Sequence, residues 1–490
     1  MSDFAEPPRK RRRWLLILGG LIVLLIGALL WPRPLKPGPD TTRITGPLRA
    51  DGSIDYAAAL NEIHSKDVTP ENNAAVLLVQ AIGPAVIEPE LQLEFFRQLG
   101  FGPLPVQGDY LQPLGAAYIA NRDVLKRVQD EMDASYRAPW QPADHPELAQ
   151  WLADNERPLE LCVAASEQPR FYLPLVVPPG ETLLIASLQP VQQMREVARM
   201  LSSRVTLRLG GGDVEGALAD VNALHRLSRR LGEHPLIISR LVAFALEAMA
   251  CRSDGAIIQS GLLTAEQARR QRAVLAGMPP FGAMADLIDQ GERYVSLDAV
   301  YGQLNPSTWH PGRLNANVVY QRINAAYDES LAAMKLETLA DQRTELTALA
   351  AKLRVRGTPG WELLGRILIG PRSAISGQVG DSLAALLQPA FEQALIADVR
   401  TRLKQRLTIV GYALAEYKAV HGAHPVKLEA IVPDLLDKIP ADPFGEGPIH
   451  YVLNAERGMF LLYGVGQNGQ DDQGRQSGGG DDVGFGDVPE

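Results

Sequence analysis

The residues best suited to chemistry in this 490-residue chain crowd its C-terminal end. Side chains that offer oxygen atoms alternate with seven glycines between residues 469 and 486. Calcium takes six to eight hard oxygen ligands on a backbone that can bend around the ion. This composition therefore predicts a calcium site. The alternative is a solvated acidic tail with no bound ion. The residues concerned are Asn468, Asp471, Asp472, Asp481, Asp482 and Asp487.

Other motifs for catalysis or cofactor binding are weak. The sequence contains no HExxH, P-loop, CxxC or GxSxG pattern. Residues 464–469 spell GxGxxG, but the Gly/Asp-rich segment that follows does not predict the helix that dinucleotide binding needs. Residues 380–383 spell Gly-Asp-Ser-Leu, where Asp381 is better placed as a helix N-cap than as part of an esterase. His421 and His424 flank a predicted turn, which explains them without zinc.

A second candidate region spans residues 138–180. Four aromatic side chains occur there among eight prolines and several charged residues. One interpretation is a groove that holds an enzyme active site. The other is a proline-broken passage whose aromatic rings fill gaps between helices, which we favour because such rings are usually core anchors. The residues are Trp140, Trp151, Phe171, Tyr172, Asp154, Glu156, Arg157, Glu160 and Arg170.

The Gly/Asp-rich segment follows a helix and a hairpin. Residues 391–420 carry a continuous apolar stripe, and Gly422 and Pro425 then end the predicted helix. A short amphipathic helix and the rigid turn Ile-Pro-Ala-Asp-Pro-Phe-Gly follow. Two or three strands come next, with Gly458 near the tip of a hairpin.

Together these motifs resemble a known domain. The run Y-x3-HG-x2-P-x2-L-x2-IVP-x2-L-x2-IP-x-DPFG, then two strands, YGVGQNG and the Gly/Asp tail, is similar to the C-terminal domain of the type II secretion major pseudopilin. The resemblance covers about residues 395–485 and implies a long helix on a small antiparallel sheet with one calcium ion. It also implies three ligands: the Val465 carbonyl, Asp482, and Asn468, which stands where the family has an aspartate and so lowers the ligand charge.

The chain also departs from that family. A pseudopilin places this helix directly after a membrane segment that begins with a processed Phe and has a Glu five residues in. Here the apolar segment carries no acid and lies about 360 residues upstream. We therefore expect an anchored protein that carries a pseudopilin-like domain, and no polymerising pilin subunit.

The body between the two ends, residues 51–390, reads as helical. Asp213 and Thr264 are predicted N-caps, and Thr69 with Pro70 predicts another helix start. The region around residues 213–227 resembles one tetratricopeptide helix pair, so an α-solenoid is one arrangement for the body. Residues 234–261 are apolar almost all round and predict a central buried helix.

The N-terminal segment predicts the location of the protein. Trp14–Trp31 contains eighteen residues without a charge, spanning roughly 27 Å, which matches a bilayer core. Five basic residues at 9–13 predict that residues 1–13 stay in the cytoplasm. Residues 32–50 are rich in Pro and Gly and predict a linker. We expect a single-pass protein of the bacterial inner membrane with a periplasmic body. The alternative, a cleaved signal peptide, would need a small-residue cleavage site, which Leu29-Leu30-Trp31-Pro32 does not supply.

Composition limits the remaining functions. The net charge of −9 argues against a nucleic-acid partner, and two cysteines exclude a disulfide scaffold. Cys162 and Cys251 lie in helical surroundings and are predicted to be buried free thiols, with a bridge as the alternative.

The sequence thus predicts a mainly α, membrane-anchored interaction or scaffold protein with a calcium-binding α+β domain at 391–490. We expect its partners to be the bilayer and a protein of the cell envelope or the secretion apparatus. The alternative function is an extracytoplasmic hydrolase with its site at 138–180.

Overall fold

The computed structural model describes residues 35–486 except 119–120, 137, 187–188, 305–313, 358–370, 455, 457 and 478. The predicted anchor Trp14–Trp31 and Asp487 lie outside the described residues. Among the helices that are described, none is both long and apolar enough to cross a bilayer.

The described residues are mainly helical, with one small antiparallel sheet near the C-terminus, as the sequence predicts. The finer prediction of a tetratricopeptide-like solenoid stays a prediction. The α-helices are α1 Tyr56–His64, α2 Ala74–Ile82, α3 Gln92–Leu99, α4 Leu114–Ala117, α5 Arg122–Ser135, α6 Pro146–Asp154, α7 Glu156–Ser166, α8 Gln189–Gly210, α9 Val214–Leu231, α10 Ile237–Gln259, α11 Ala265–Ala276, α12 Met284–Leu287, α13 Arg293–Leu304, α14 Ala316–Met334, α15 Leu339–Gly357 and α16 Pro371–His421. The strands are β1 His450–Asn454, β2 Met459–Gly464 and β3 Val483–Gly486.

The chain forms two compact units. Of the described residues, the first unit contains those in 35–56, 293–336 and 340–390, and the second contains those in 57–292, 337–339 and 391–486. The predicted start of the C-terminal domain at residue 391 is thus a point where the chain enters the second unit. The described residues of the predicted C-terminal domain thus belong to the same unit as residues 57–292. The sequence assigns residues 57–292 to the helical body.

The first unit is built from α13, α14, α15 and the N-terminal part of α16. Its apolar core includes Ala326, Leu349, Leu353 and Ala384. From residue 35 onward, the predicted linker belongs to this unit. Asn324 donates a hydrogen bond from Nδ2 to the carbonyl of Thr41 at 2.6 Å, and Arg49 Nη1 lies 2.9 Å from an oxygen of the fully buried Asp298. These contacts attach the segment to helices α13 and α14.

In the second unit, α8, α9 and α10 pack against one another. Two of the predicted caps are confirmed. Asp213 Oδ1 accepts a hydrogen bond from the Gly216 amide at 2.9 Å, and Thr264 caps α11 in a capping box with Gln267. The predicted burial of α10 is also confirmed, since most of its side chains are inaccessible.

Two predicted helix starts are wrong. Helix α2 begins after Asn73, whose side chain accepts from the Ala75 amide, because Thr69 lies in a turn that Asn72 stabilises. Asp381 is no N-cap, since α16 runs from Pro371 through that position without a break. Buried positions lie on both sides of Asp381, at Ser376, Gly380 and Ala384, and this tertiary packing outweighs its local capping preference.

The sheet has the order β1-β2-β3, with all neighbours antiparallel. The predicted hairpin is confirmed, and Gly458 at its tip has φ +60°. The buried Phe485 on β3 packs against α16 at Gly411, where an added Cβ would lie 2.5 Å from the ring. Glycine at 411 therefore permits the close approach of the sheet to the helix.

The predicted short helix after Pro425 is reduced to one 3-10 turn, Leu428–Ile431. Cys162 and Cys251 are free and buried, as predicted. Burial raises the pKa of the Cys162 thiol to about 12, so this side chain is an inert core residue.

Candidate metal site

The Gly/Asp-rich loop connects β2 to β3, and a buried aspartate holds its first residue. Asp442, in the Asp-Pro-Phe-Gly turn, accepts hydrogen bonds from the amides of Phe444 at 2.9 Å and Val465 at 2.6 Å. Both oxygens of this carboxylate are therefore bonded to backbone. Asp442 is 4% exposed, so it joins the turn to the end of β2 as a structural residue.

Three of the predicted ligands converge in this loop. Asp472, Asp481 and Asp482 each offer one carboxylate oxygen, and these oxygens all lie within 4.8 Å of one another. Because calcium lies about 2.3–2.6 Å from each ligand oxygen, one ion can contact oxygens that are 4.8 Å apart. We call these three residues the acidic loop site. Within the described residues, none of the three carboxylates has an ion-pair partner.

Two oxygens of the acidic loop site are buried and unbonded. Asp482 is 0% exposed, and its Oδ2 accepts from the Gly474 amide at 2.8 Å, while its Oδ1 has no partner. Asp481 uses Oδ2 to accept from the Asn468 amide at 3.1 Å, and its Oδ1 is also buried without a partner. Buried carboxylate oxygens are normally hydrogen-bonded or bound to a metal, so these two atoms match the requirements of a hard cation.

The electrostatics of the site point the same way. Burial and the neighbouring charges of Asp472 and Asp471 raise the pKa of Asp482. By contrast, hydrogen bonds from the Asn468 side chain and the Asp481 amide lower the pKa of Asp472. A divalent cation would relieve the repulsion that raises the pKa of Asp482.

The backbone of the loop is shaped for close approach. An added Cβ at Gly466 would lie 2.1 Å from the Asp481 carbonyl oxygen and 2.2 Å from its Oδ1. Gly474, which binds Asp482, has φ +81°, a left-handed conformation that favours glycine. The spacing of glycines in the sequence therefore has a geometric reason at these two positions.

The other predicted ligands take different roles. Asn468 donates from Nδ2 to Asp472 Oδ2 at 3.0 Å, and its Oδ1 accepts from the Gln470 amide. Asp471 lies outside the converging set and accepts from the Gln473 amide at 2.8 Å. Val465 is buried next to Asp442. The structure thus brings together three of the six residues and places Asn468 beside them as a hydrogen-bond donor.

The histidine pair and the Gly-Asp-Ser-Leu and GxGxxG motifs have structural roles. His421 packs against Tyr417 with the rings tilted by 35° and their centroids 4.2 Å apart, whereas His424 packs edge-on against Phe460 at 4.9 Å. Burial lowers the pKa of His424 to about 4, and nearby Lys418 adds to this effect. The Gly-Asp-Ser-Leu motif lies within α16, and no helix follows the GxGxxG motif in the described loop.

In the 138–180 region the aromatic rings are core anchors. Trp140 and Trp151 are buried, and each donates its indole N–H, to Thr206 Oγ1 and to the Gln112 carbonyl respectively. Phe171 and Tyr172 are also buried. Close packing explains their positions without a groove.

The charged residues of that region have separate local partners. Glu156 pairs with Arg204 at 3.2 Å, and Arg157 pairs with Asp109 at 3.6 Å. Asp154 accepts from Gln150 at 2.7 Å. Glu160 and Arg170 are exposed. The described contacts therefore do not gather these side chains at one point.

One buried charge network was not predicted from the sequence. His225 on α9 lies between two acids of α10, with Nδ1 3.0 Å from Glu247 Oε1 and Nε2 2.7 Å from Asp254 Oδ2. Tyr412 of α16 donates to Asp254 Oδ1 at 2.6 Å, and Gln405 donates to Glu247 at 2.9 Å. Arg229 completes the set with two hydrogen bonds to Glu247. We call these six residues the histidine network.

The four central residues of the histidine network are buried, and their charges face one another. His225, Glu247, Asp254 and Tyr412 are each at most 1% exposed. Burial disfavours the imidazolium, but Glu247 and Asp254 outweigh that effect and raise the pKa of His225 to about 9. Burial likewise opposes ionisation of Glu247, yet His225 and Arg229 lower its pKa to about 2. Burial raises the pKa of Asp254, and its contacts with His225 and Tyr412 oppose that effect. These mutual bonds make the network a structural clamp between α9, α10 and α16.

The polar residues of α10 were the only sequence signal for this network. Glu247 and Asp254 are seven positions apart, so they lie on one face of an otherwise apolar helix. Their partner His225 belongs to another helix, and only packing reveals the pair.

Comparisons of the chain with protein-family models, with curated proteins and with solved structures find no match. The resemblance to a pseudopilin domain therefore depends on the residues quoted for it, and the function on the geometry described above.

Proposed function

We propose that this chain is a non-enzymatic, single-pass membrane-anchored protein with a calcium-binding, pseudopilin-like C-terminal domain. Its body would lie in the periplasm and bind a protein of the cell envelope or of the type II secretion apparatus. The anchor part of the proposal depends on the apolar run at 14–31 and the basic residues before it.

The observation that carries calcium binding is the pair of buried, unbonded oxygens in the acidic loop site. Asp481 Oδ1 and Asp482 Oδ1 have no hydrogen-bond donor, and three carboxylates converge without an ion pair among the described residues, where Arg475 acts on Asp472 alone. Leaving such groups buried and unpaired costs free energy that a bound ion would recover. The carboxylates would supply the charged ligands, and backbone carbonyls or water would supply the rest.

A calcium titration of the full-length protein in detergent tests this proposal. Binding stabilises the folded state by about 2.7 kcal/mol at a calcium concentration of 100 Kd, so the midpoint of thermal unfolding should rise by roughly 3–4 °C. Magnesium should raise it much less, because it demands octahedral geometry and releases its waters reluctantly.

Asp482→Asn is the matched variant for this titration. It keeps the shape of the side chain and removes the charge, so it should abolish most of the calcium effect. An unchanged midpoint in millimolar calcium would overturn calcium binding, as would an Asp482→Asn protein that responds like the parent.

The anchored topology has its own test. A reporter that is active only outside the cytoplasm, fused after Glu490, should be active in cells. Activity of a cytoplasm-only reporter at the same fusion point would contradict a periplasmic body.

A further inference from the structure

A cavity of about 240 Å³ in the second unit has no role in the proposed function. It lies where the end of α9, the start of α10, the 279–283 segment and the π-helical turn Ile288–Glu292 meet, with His64 of α1 beside them. This volume is below the roughly 300–1,000 Å³ of sites for drug-sized ligands, so it suits a small molecule.

The walls of this cavity are held by close backbone contacts. An added Cβ at Gly291 would lie 1.7 Å from the Pro235 carbonyl oxygen, so only glycine permits this approach. At Gly232, an added Cβ would lie 2.8 Å from the Phe281 ring. The π-helical turn that carries Gly291 is a rare backbone form that is frequent at functional sites. The cavity is therefore a formed feature of the fold.

Two arginines face the same aromatic ring in the cavity, and their environments differ. The guanidinium carbon of Arg229 lies 4.4 Å from the centre of the Phe281 ring, and that of Arg240 lies 5.6 Å from it. Arg229 is neutralised by two hydrogen bonds to Glu247. Arg240 instead donates Nε to the Gly232 carbonyl at 3.0 Å and Nη1 to the Gly282 carbonyl at 2.8 Å, which are uncharged acceptors.

Arg240 is thus a buried cation without its own anion. It is only 5% exposed, and in the part of the chain that the structure describes it has no ion pair and no acceptor for Nη2. The acid that acts on it, Asp398, is bonded to Arg402 at 3.0 Å. Burial accordingly lowers the pKa of Arg240, an effect that Asp398 only partly offsets. An anion in the cavity would supply the missing charge.

The remaining lining selects the type of anion. Glu233 and Asp286 are exposed acids at the wall of the cavity, and they would repel a dianion such as phosphate. Phe281 and the adjacent prolines offer apolar surface to an uncharged body. The His64 side chain makes no hydrogen bond among the described residues, and burial lowers its pKa, so it is a neutral hydrogen-bonding group at pH 7.

From this geometry we infer that the cavity is a binding site for a small monocarboxylate with an apolar or aromatic body. The carboxylate accepts a hydrogen bond from Arg240 Nη2, and the body lies against Phe281. This inference is independent of calcium binding, because the cavity and the acidic loop site share no residue.

The test uses 3-phenylpropionate as the probe and the full-length protein in detergent micelles, with binding followed by ligand-observed NMR. A ligand of this size should bind with a Kd on the order of 1 mM. The uncharged 3-phenylpropionamide and inorganic phosphate should each bind at least about tenfold more weakly. If the amide binds as tightly as 3-phenylpropionate, the cavity recognises only an apolar body. If phosphate binds as tightly, the cavity is a general anion site. Either result overturns the inference.

Two variants locate the binding. Arg240→Gln should abolish it, but the loss of two buried hydrogen bonds can also unfold the protein. Gly282→Leu avoids this problem, because an added Cβ there has open space except for Arg240 Nη2 at 3.7 Å, and the Gly282 carbonyl still accepts from Nη1. This variant should keep the thermal midpoint of the parent and no longer bind 3-phenylpropionate. Any NMR signal that remains with it then measures partition of the probe into the micelles. Retention of binding in Gly282→Leu overturns the inference.

A third variant should strengthen binding. Asp286 is exposed and makes no hydrogen bond within the described residues, so Asp286→Asn should leave folding unchanged. Removal of its negative charge should tighten 3-phenylpropionate binding by about two- to threefold. Weaker binding in Asp286→Asn would overturn the assignment of charge in the cavity.

Discussion

The histidine network and the acidic loop site both place carboxylates in the second unit, with opposite outcomes. In the histidine network, Glu247 and Asp254 are completely buried, and each is bonded to His225 and to at least one further side chain. In the acidic loop site, three carboxylates meet without an ion pair among the described residues, and two oxygens are left unbonded. Charges that neighbouring side chains satisfy stabilise a fold, whereas charges left unsatisfied indicate a site for a ligand.

The largest expected effect comes from breaking the balance of the histidine network. Glu247→Ala leaves the buried His225 and the largely buried Arg229 without their shared acid. We expect a loss of about 3–5 kcal/mol in the free energy of unfolding, measured by urea denaturation.

Glu233→Ala is the control for Glu247→Ala, because Glu233 is exposed and its one ion pair among the described residues is with Arg230. Its effect should stay within about 0.5 kcal/mol. If Glu247→Ala were as mild as this control, the histidine network would be no structural clamp.

The second prediction concerns the pH dependence of stability. The pKa of His225 rises from 6.5 in the unfolded chain to about 9 in the folded protein. The stabilising contribution is therefore complete below pH 6.5 and is lost as the pH rises through 9. His225→Gln should flatten the stability of the protein between these values, as measured by urea unfolding at several pH values. If the stability of His225→Gln still falls with pH as that of the parent does, groups other than His225 cause the loss of stability.

The third prediction sharpens the contrast from the side of the acidic loop site. Asn468→Asp removes the hydrogen bond to Asp472 and adds a fourth carboxylate, so we expect it to destabilise the calcium-free protein by about 1 kcal/mol. The same change restores the residue that the pseudopilin resemblance implies, and calcium should bind more tightly. Isothermal titration would show a lower Kd, and an unchanged or higher Kd would exclude Asn468 from the ion's surroundings.

The smallest effect is expected at Asp471. The sequence places it among the ligands, but the structure bonds it to the Gln473 amide outside the converging oxygens. Asp471→Asn should change the calcium Kd by less than about threefold, through loss of a nearby charge. An effect as large as that of Asp482→Asn would favour the ligand set predicted from sequence.

Some helix boundaries could be predicted from local chemistry, whereas others could not. Asp213 and Thr264 act as N-caps because each precedes a clear apolar period and bonds to its own next turn. Asn73 takes the role predicted for Thr69 because its side chain also bonds to the backbone of Tyr172, 99 residues away. A long-range partner of this kind has no local signature in the sequence.

The candidate site shows the same division. The sequence by itself determined that six oxygen-bearing residues and several glycines lie in one loop after a hairpin, since composition and turn chemistry are local properties. Only the tertiary structure decided which carboxylates converge, because Asp472 and Asp481 meet through the folding of the loop and Asp482 is buried by its packing. The histidine network and the Arg240 cavity likewise arise from side chains on separate helices, whose charges are satisfied or left unsatisfied only when those helices pack.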